Sequence, residues 1–107
     1  MGEHGMIERV DFARAKAILD AEPEAVLLDV REEAEYITGH AVNAVLLPVV
    51  ELTDETAMDA IRSLSTPVLV YCRSGYRSNV AAHRLADYGY ERIYDIGSLI
   101  GWPYGLE

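Results

Sequence analysis

The chain has 107 residues, of which 18 are acidic and 9 basic, for a formal charge of −9. That length suits one domain that buries roughly two-thirds of its unfolded surface, so residues 1–107 are assigned to a single domain with its core at about 7–103. A composition that is 50% hydrophobic and 25% charged excludes a disordered or fibrous chain, and the acidic balance repels a phosphate backbone, so no nucleic acid partner is expected.

The single cysteine, Cys72, excludes an intramolecular disulfide, and the opening MGEHGMIERV lacks the apolar segment of a secretory signal. A cytoplasmic location is the expectation. The longest apolar stretch, Ala41–Val50, is interrupted by Asn43 and Pro48 and falls far short of the roughly 20 residues that span a bilayer. No membrane partner is expected.

In chain order, Asp11 is placed to cap a helix in FARAKAILDA, with Phe12, Ala15, Ile18 and Leu19 at helical spacing and Pro23 as the stop. AVLLDV (Ala25–Val30) is a short apolar run of the kind buried on both faces in a parallel sheet. A short helical segment, REEAEY, follows and Gly39 ends it. AVLLPV (Ala44–Val49) is a second strand closed by Pro48. TDETAMDAIRSL reads as a helix capped by Thr53 or Asp54, with Ala57, Ile61 and Leu64 as its apolar stripe. VLVYC (Val68–Cys72) is the most β-prone run, and SNVAAHRLADYG is a helix starting near Ser78 and stopped by Gly89. RIYDI is the last strand, leading into GSLIGWPYG. Strands alternating with helices imply right-handed crossovers and a parallel sheet covered on both faces.

Such sheets bind ligands at the carboxyl ends of their strands, where Cys72 falls. A lone cysteine is commonly a small buried hydrophobe, but the segment Cys72–Arg73–Ser74–Gly75–Tyr76–Arg77 joins a strand to a helix, and Gly75 permits a positive φ that curls the loop around the sulfur. Backbone N–H groups and the first helical turn then point at the centre and favour an anion there. Arg73 and Arg77 flank the bend as an oxyanion clamp, because a guanidinium fork matches a sulfonate or phosphate. Ser74 and Ser78 either donate to the sulfur or serve ordinary turn and cap chemistry. Tyr76 is a rim residue, a substrate lid or an exposed aromatic.

The segments LLDVREEAEYITGHAVNAVLLP and VLVYCRSGYRS resemble those of the single-domain rhodaneses, or thiosulfate sulfurtransferases, from about Ile7 to Trp102. Asp29–Val30–Arg31, Glu35–Tyr36, Gly39–His40 and the Cys72–Arg77 loop match that family's motifs in order, and Gly97 to Trp102 is similar to its usual ending. Two positions depart: Ser98 stands where a second glycine is common, and Asn43 where a glycine often precedes the alanine. The resemblance implies a three-layer α/β/α fold around a five-stranded, mainly parallel sheet. It implies a catalytic Cys72 that cycles through a persulfide, with no metal or organic cofactor. Arg73, Ser74, Gly75, Tyr76, Arg77 and Ser78 would bind the substrate anion, and Asp29 and Arg31 would support the site. The partners implied are a small anionic sulfur donor and an external thiol or protein acceptor, since the chain has no second cysteine to resolve the persulfide.

Cysteine phosphatases of the related cell-cycle type, and arsenate chemistry with them, have five residues between cysteine and arginine; here four separate Cys72 from Arg77. The tighter ring suits a sulfur atom, and a phosphatase also needs a general acid. A non-catalytic binding module or sulfur carrier is the rival from another class, and retention of Cys72 and both arginines weighs against it. His4, His40 and His83 have no ligand spacing, so no metal site is expected.

Overall fold

The computed structural model describes residues 6–107; His4 lies outside them. Five parallel strands form one sheet: β1 (Met6–Arg9), β2 (Val26–Asp29), β3 (Val45–Leu46), β4 (Val68–Cys72) and β5 (Arg92–Ser98), in the order β1-β5-β4-β2-β3. The helices are α1 (Phe12–Ala21), α2 (Glu33–Tyr36), α3 (Asp54–Ala60) and α4 (Tyr76–Asp87). Central β4 is buried along its whole length, which is why its sequence is a continuous apolar run instead of an alternation. Its side chains divide the core. Val68, Val70 and Cys72 pack with Ala57, Ile61, Ala81 and Leu85 of the α3–α4 side, whereas Leu69 and Tyr71 pack with Ala15 and Ile18 of α1.

The caps follow local chemistry. Asp11 accepts a hydrogen bond from Arg14 N at 2.8 Å at the start of α1, and Thr53 accepts from Thr56 N at 3.1 Å at the start of α3. Such caps satisfy backbone donors that the first helical turn leaves unpaired.

Several boundaries differ from the sequence expectation. β3 is Val45–Leu46 and not Ala44–Val49: Leu47 N and Val49 N still bond to the β2 side, but Pro48 between them has no N–H, and a 3-10 turn begins at Val49. α3 ends at Ala60, short of Leu64, because the Ser63 and Ser65 side chains bond locally and draw the chain into a turn. β5 runs on to Ser98, well beyond RIYDI. β1 leaves no signal in the residue pattern, because a mostly exposed edge strand shows no apolar run or alternation. The closing residues, which carry no predicted element, pair with the segment after Gly39: Ala41 bridges Leu106, and His40 and Glu107 exchange backbone hydrogen bonds of 3.1 and 2.8 Å. Among the described residues no helix is long and apolar enough to cross a membrane.

Candidate active site

Cys72 ends β4 and is fully buried. Its carbonyl is held by Leu99 N at 2.9 Å, which anchors the strand end to the chain leaving β5. Gly75 then adopts φ +102°, a conformation that side-chain-bearing residues rarely take, and serves as the N-cap of α4. This turn brings Gly75 N to 2.9 Å and Ser78 N to 3.4 Å from Cys72 Sγ. Two amide donors, with the amino end of a 12-residue helix behind them, are the partners that a sulfur anion accepts.

The helix therefore starts at Tyr76, two residues before the expected Ser78, and Gly75 is the reason. Ser78 contributes to the sulfur through its backbone only: its hydroxyl donates to Gly75 O at 3.1 Å. Exposed Ser74 makes no hydrogen bond to the sulfur. Tyr76 is 75% exposed and stands at the rim.

The arginines separate into different settings. Arg77 donates to both oxygens of Glu35 at 2.7 and 3.0 Å, tying the first turn of α4 to α2. This hydrogen-bonded guanidinium lowers the Glu35 carboxyl to about 2 despite partial burial, and Glu35 in turn raises Arg77 further. Glu35 also accepts from Glu32 N at 2.9 Å within the α2 capping box. Arg73 is exposed and its side chain has no ion pair among the described residues. Its carbonyl accepts a hydrogen bond from the Ser98 hydroxyl. The serine in a common glycine position thus ties the cysteine loop to the end of β5.

Asp29 and Arg31 bond to each other and make no hydrogen bond to the sulfur. Arg31 donates to both Asp29 oxygens, at 2.9 Å to Oδ1 and 2.7 Å to Oδ2, and to Gly39 O at 2.7 Å. The buried Tyr71 hydroxyl donates to Asp29 Oδ2 at 2.6 Å and accepts from Ala41 N at 3.1 Å. Burial first, then the bond to Asp29, push the Tyr71 phenol upward. The network joins β2, β4 and the Gly39–Ala41 turn. Beside it, Tyr36 stacks on His40 at 3.7 Å between centroids, and its hydroxyl donates to Ala44 O at 2.8 Å. Asn43 adopts φ 70°, a left-handed conformation that asparagine tolerates better than most residues, so the absent glycine is accommodated. A cleft of about 240 Å³, lined in part by Arg31, Arg73, Ile100 and Trp102, opens beside the loop.

The cysteine loop is legible in the sequence, but the partner of Arg77 is not, because no local signal links it to Glu35, 42 residues away.

These features define a parallel α/β domain that holds one cysteine sulfur in an amide-lined loop at the carboxyl edge of its sheet. The chain belongs to the rhodanese-like domain family, whose model matches residues 11–102. It is 34% identical over 87 residues to a tRNA uridine(34) hydroxylase from Erwinia tasmaniensis, covering 78% of this chain and 25% of that protein. The chain thus spans about a quarter of that curated relative. Among solved structures, the rhodanese-like domain of an Anabaena protein superposes with a TM-score of 0.80 at 25% identity, over 95% of this chain and 80% of that one. A rhodanese with anions from E. coli matches with a TM-score of 0.73 at 26% identity, over 78% and 96% of the two chains.

Proposed function

We propose that the protein is a sulfurtransferase that carries a sulfane sulfur on Cys72. The observation supporting this is the pair of amide donors, Gly75 N and Ser78 N, directed at Sγ. The Cys72 thiolate attacks the outer sulfur of thiosulfate; a new S–S bond forms, the old one breaks, and sulfite leaves with its electron pair. The persulfide left on Cys72 carries one negative charge, and the loop amides and the helix dipole stabilise it. Cyanide or a thiolate then takes the terminal sulfur, and the bonding pair returns to Cys72 Sγ. Because the chain has no second cysteine, the acceptor is external. Arg73 neutralises the departing sulfonate, while Arg77 holds the loop through Glu35, and Asp29 and Arg31 support the strand ends through their bonds to Tyr71 and Gly39.

The test is intact mass after incubation with thiosulfate. The wild type gains one sulfur atom, Cys72→Ser gains none, and added cyanide converts the loaded protein back with release of thiocyanate. A wild type that never gains sulfur overturns the reading. Hydrolysis of an aryl phosphate dependent on Cys72 would instead support the phosphatase alternative.

The Erwinia relative's name suggests a second reading, participation in tRNA uridine hydroxylation. The net charge of −9 argues against this chain gripping a tRNA by itself. Binding of tRNA at physiological salt would favour that reading.

A further inference from the structure

Two arginines near the cysteine loop are committed elsewhere: Arg77 to Glu35, and Arg31 to Asp29 and Gly39. Arg9, at the carboxyl end of β1, is exposed and has no ion pair within 4.0 Å or side-chain hydrogen bond among the described residues. Its register partner on β5 is Asp95, which is 1% exposed and whose carboxyl oxygens have no hydrogen-bond partner. The Arg9 side chain instead reaches over Gly97: a Cβ on Gly97 would lie 2.6 Å from Arg9 Nη2. Gly97 Cα is in turn 3.9 Å from the position of a Cβ on Gly75, and Gly75 N is 2.9 Å from Cys72 Sγ. Two glycines thus let a guanidinium from the far edge strand approach the back of the cysteine loop, on the side away from Arg77 and α2.

Arg9 also borders an open cleft of about 460 Å³ that includes Asp11, Phe12, Ile96, Ser98 and Ile100; the Asp11 carboxylate is engaged in capping α1, where it accepts from Arg14 N. Ile100 is shared with the smaller cleft that contains Arg73. A space of this size exceeds the needs of sulfite or cyanide and falls in the range of about 300–1,000 Å³ that small organic ligands occupy.

We propose that Arg9, acting with Arg73, selects the sulfur acceptor by attracting a short peptidic thiol that carries a free carboxylate. The inference rests on the sulfurtransferase reading. The acceptor thiolate attacks the terminal sulfur of the Cys72 persulfide; the S–S bond breaks, its electron pair returns to Cys72 Sγ, and the acceptor leaves as its own persulfide. The acceptor thiol gives up its proton to water before attack. Arg9 touches neither sulfur and steers the anionic part of the acceptor, so its effect weakens with added salt.

The experiment compares discharge of thiosulfate-loaded protein by glutathione, which carries two carboxylates, and by neutral 2-mercaptoethanol. In Arg9→Ala the ratio of the glutathione rate to the 2-mercaptoethanol rate falls about tenfold, the size of a rim-charge effect on encounter. Arg9→Lys retains most of the ratio, and 1 M salt removes the difference between variants. A ratio unchanged in Arg9→Ala overturns the inference. A second measurement is independent of sulfur transfer: the ratio of Cys72 alkylation by anionic iodoacetate to that by neutral iodoacetamide falls in Arg9→Ala and recovers in Arg9→Lys. If the wild type fails to load sulfur, the function reading fails, and this alkylation ratio still decides whether Arg9 steers anions to Cys72.

Discussion

The Arg77 guanidinium grips the Glu35 carboxylate through two hydrogen bonds of 2.7 and 3.0 Å, fastening the helix that begins the cysteine loop to the short helix after β2. An arginine held in this way orients the loop, whereas Arg73 is exposed and without an ion pair among the described residues, and the proposed function assigns it to the substrate anion.

Arg73→Ala is therefore expected to raise KM for thiosulfate about 10- to 100-fold, as loss of a charge-assisted hydrogen bond of roughly 1.5–3 kcal/mol implies, with little change in Tm. Arg77→Ala is expected to lower Tm and to slow thiosulfate use and iodoacetamide alkylation of Cys72 together. Steady-state kinetics, alkylation rates and thermal melts of both variants check this. A rise in KM confined to Arg77→Ala would reverse the assignment.

The same ion pair gives stability a pH dependence. Glu35 titrates at about 2 in the folded protein against its ordinary 4.5, so the unfolded chain binds a proton more readily. Its contribution is complete above pH 4.5 and is lost as pH falls toward 2. Urea midpoints from pH 6 to pH 2 should drop less steeply in Glu35→Gln than in the wild type. Parallel curves would show that the pair contributes nothing to acid sensitivity.

Tyr71→Phe removes a hydroxyl that serves Asp29 Oδ2 at 2.6 Å and Ala41 N at 3.1 Å. Two buried groups lose a partner, at a cost of about 1–3 kcal/mol each before relaxation. Chemical denaturation should show a clear loss of stability. Since neither group contacts Cys72, sulfur loading per folded molecule should persist.

At Asn43, φ 70° penalises most side chains. Asn43→Ala should destabilise by about 1 kcal/mol, while Asn43→Gly should equal or exceed the wild type in Tm. Improved stability in Asn43→Ala would mean that the turn relaxes out of the left-handed region.

Much of the fold was legible because its signals are local. The run Val68–Cys72 is apolar because β4 has helices on both sides, and Asp11 and Thr53 mark helix starts because a helix's first amides need acceptors. Strand β1 was not legible from its residues, since an exposed edge carries no burial pattern. The start of α4 was misplaced by two residues because left-handed Gly75 caps the helix without a side chain, so no capping residue marks the boundary.

For the site, the residues themselves determined that a cysteine ends a buried strand, that a glycine follows three positions later, and that four residues separate it from Arg77. That spacing defines an amide ring closed by local backbone geometry. Only the tertiary structure decided which arginine is spoken for, what Ser98 and Ser78 hold, and that Arg9 reaches over Gly97 from the edge strand. Parallel crossovers bring together residues tens of positions apart, and the partner of a charged side chain depends on which strands become neighbours, which local sequence does not encode.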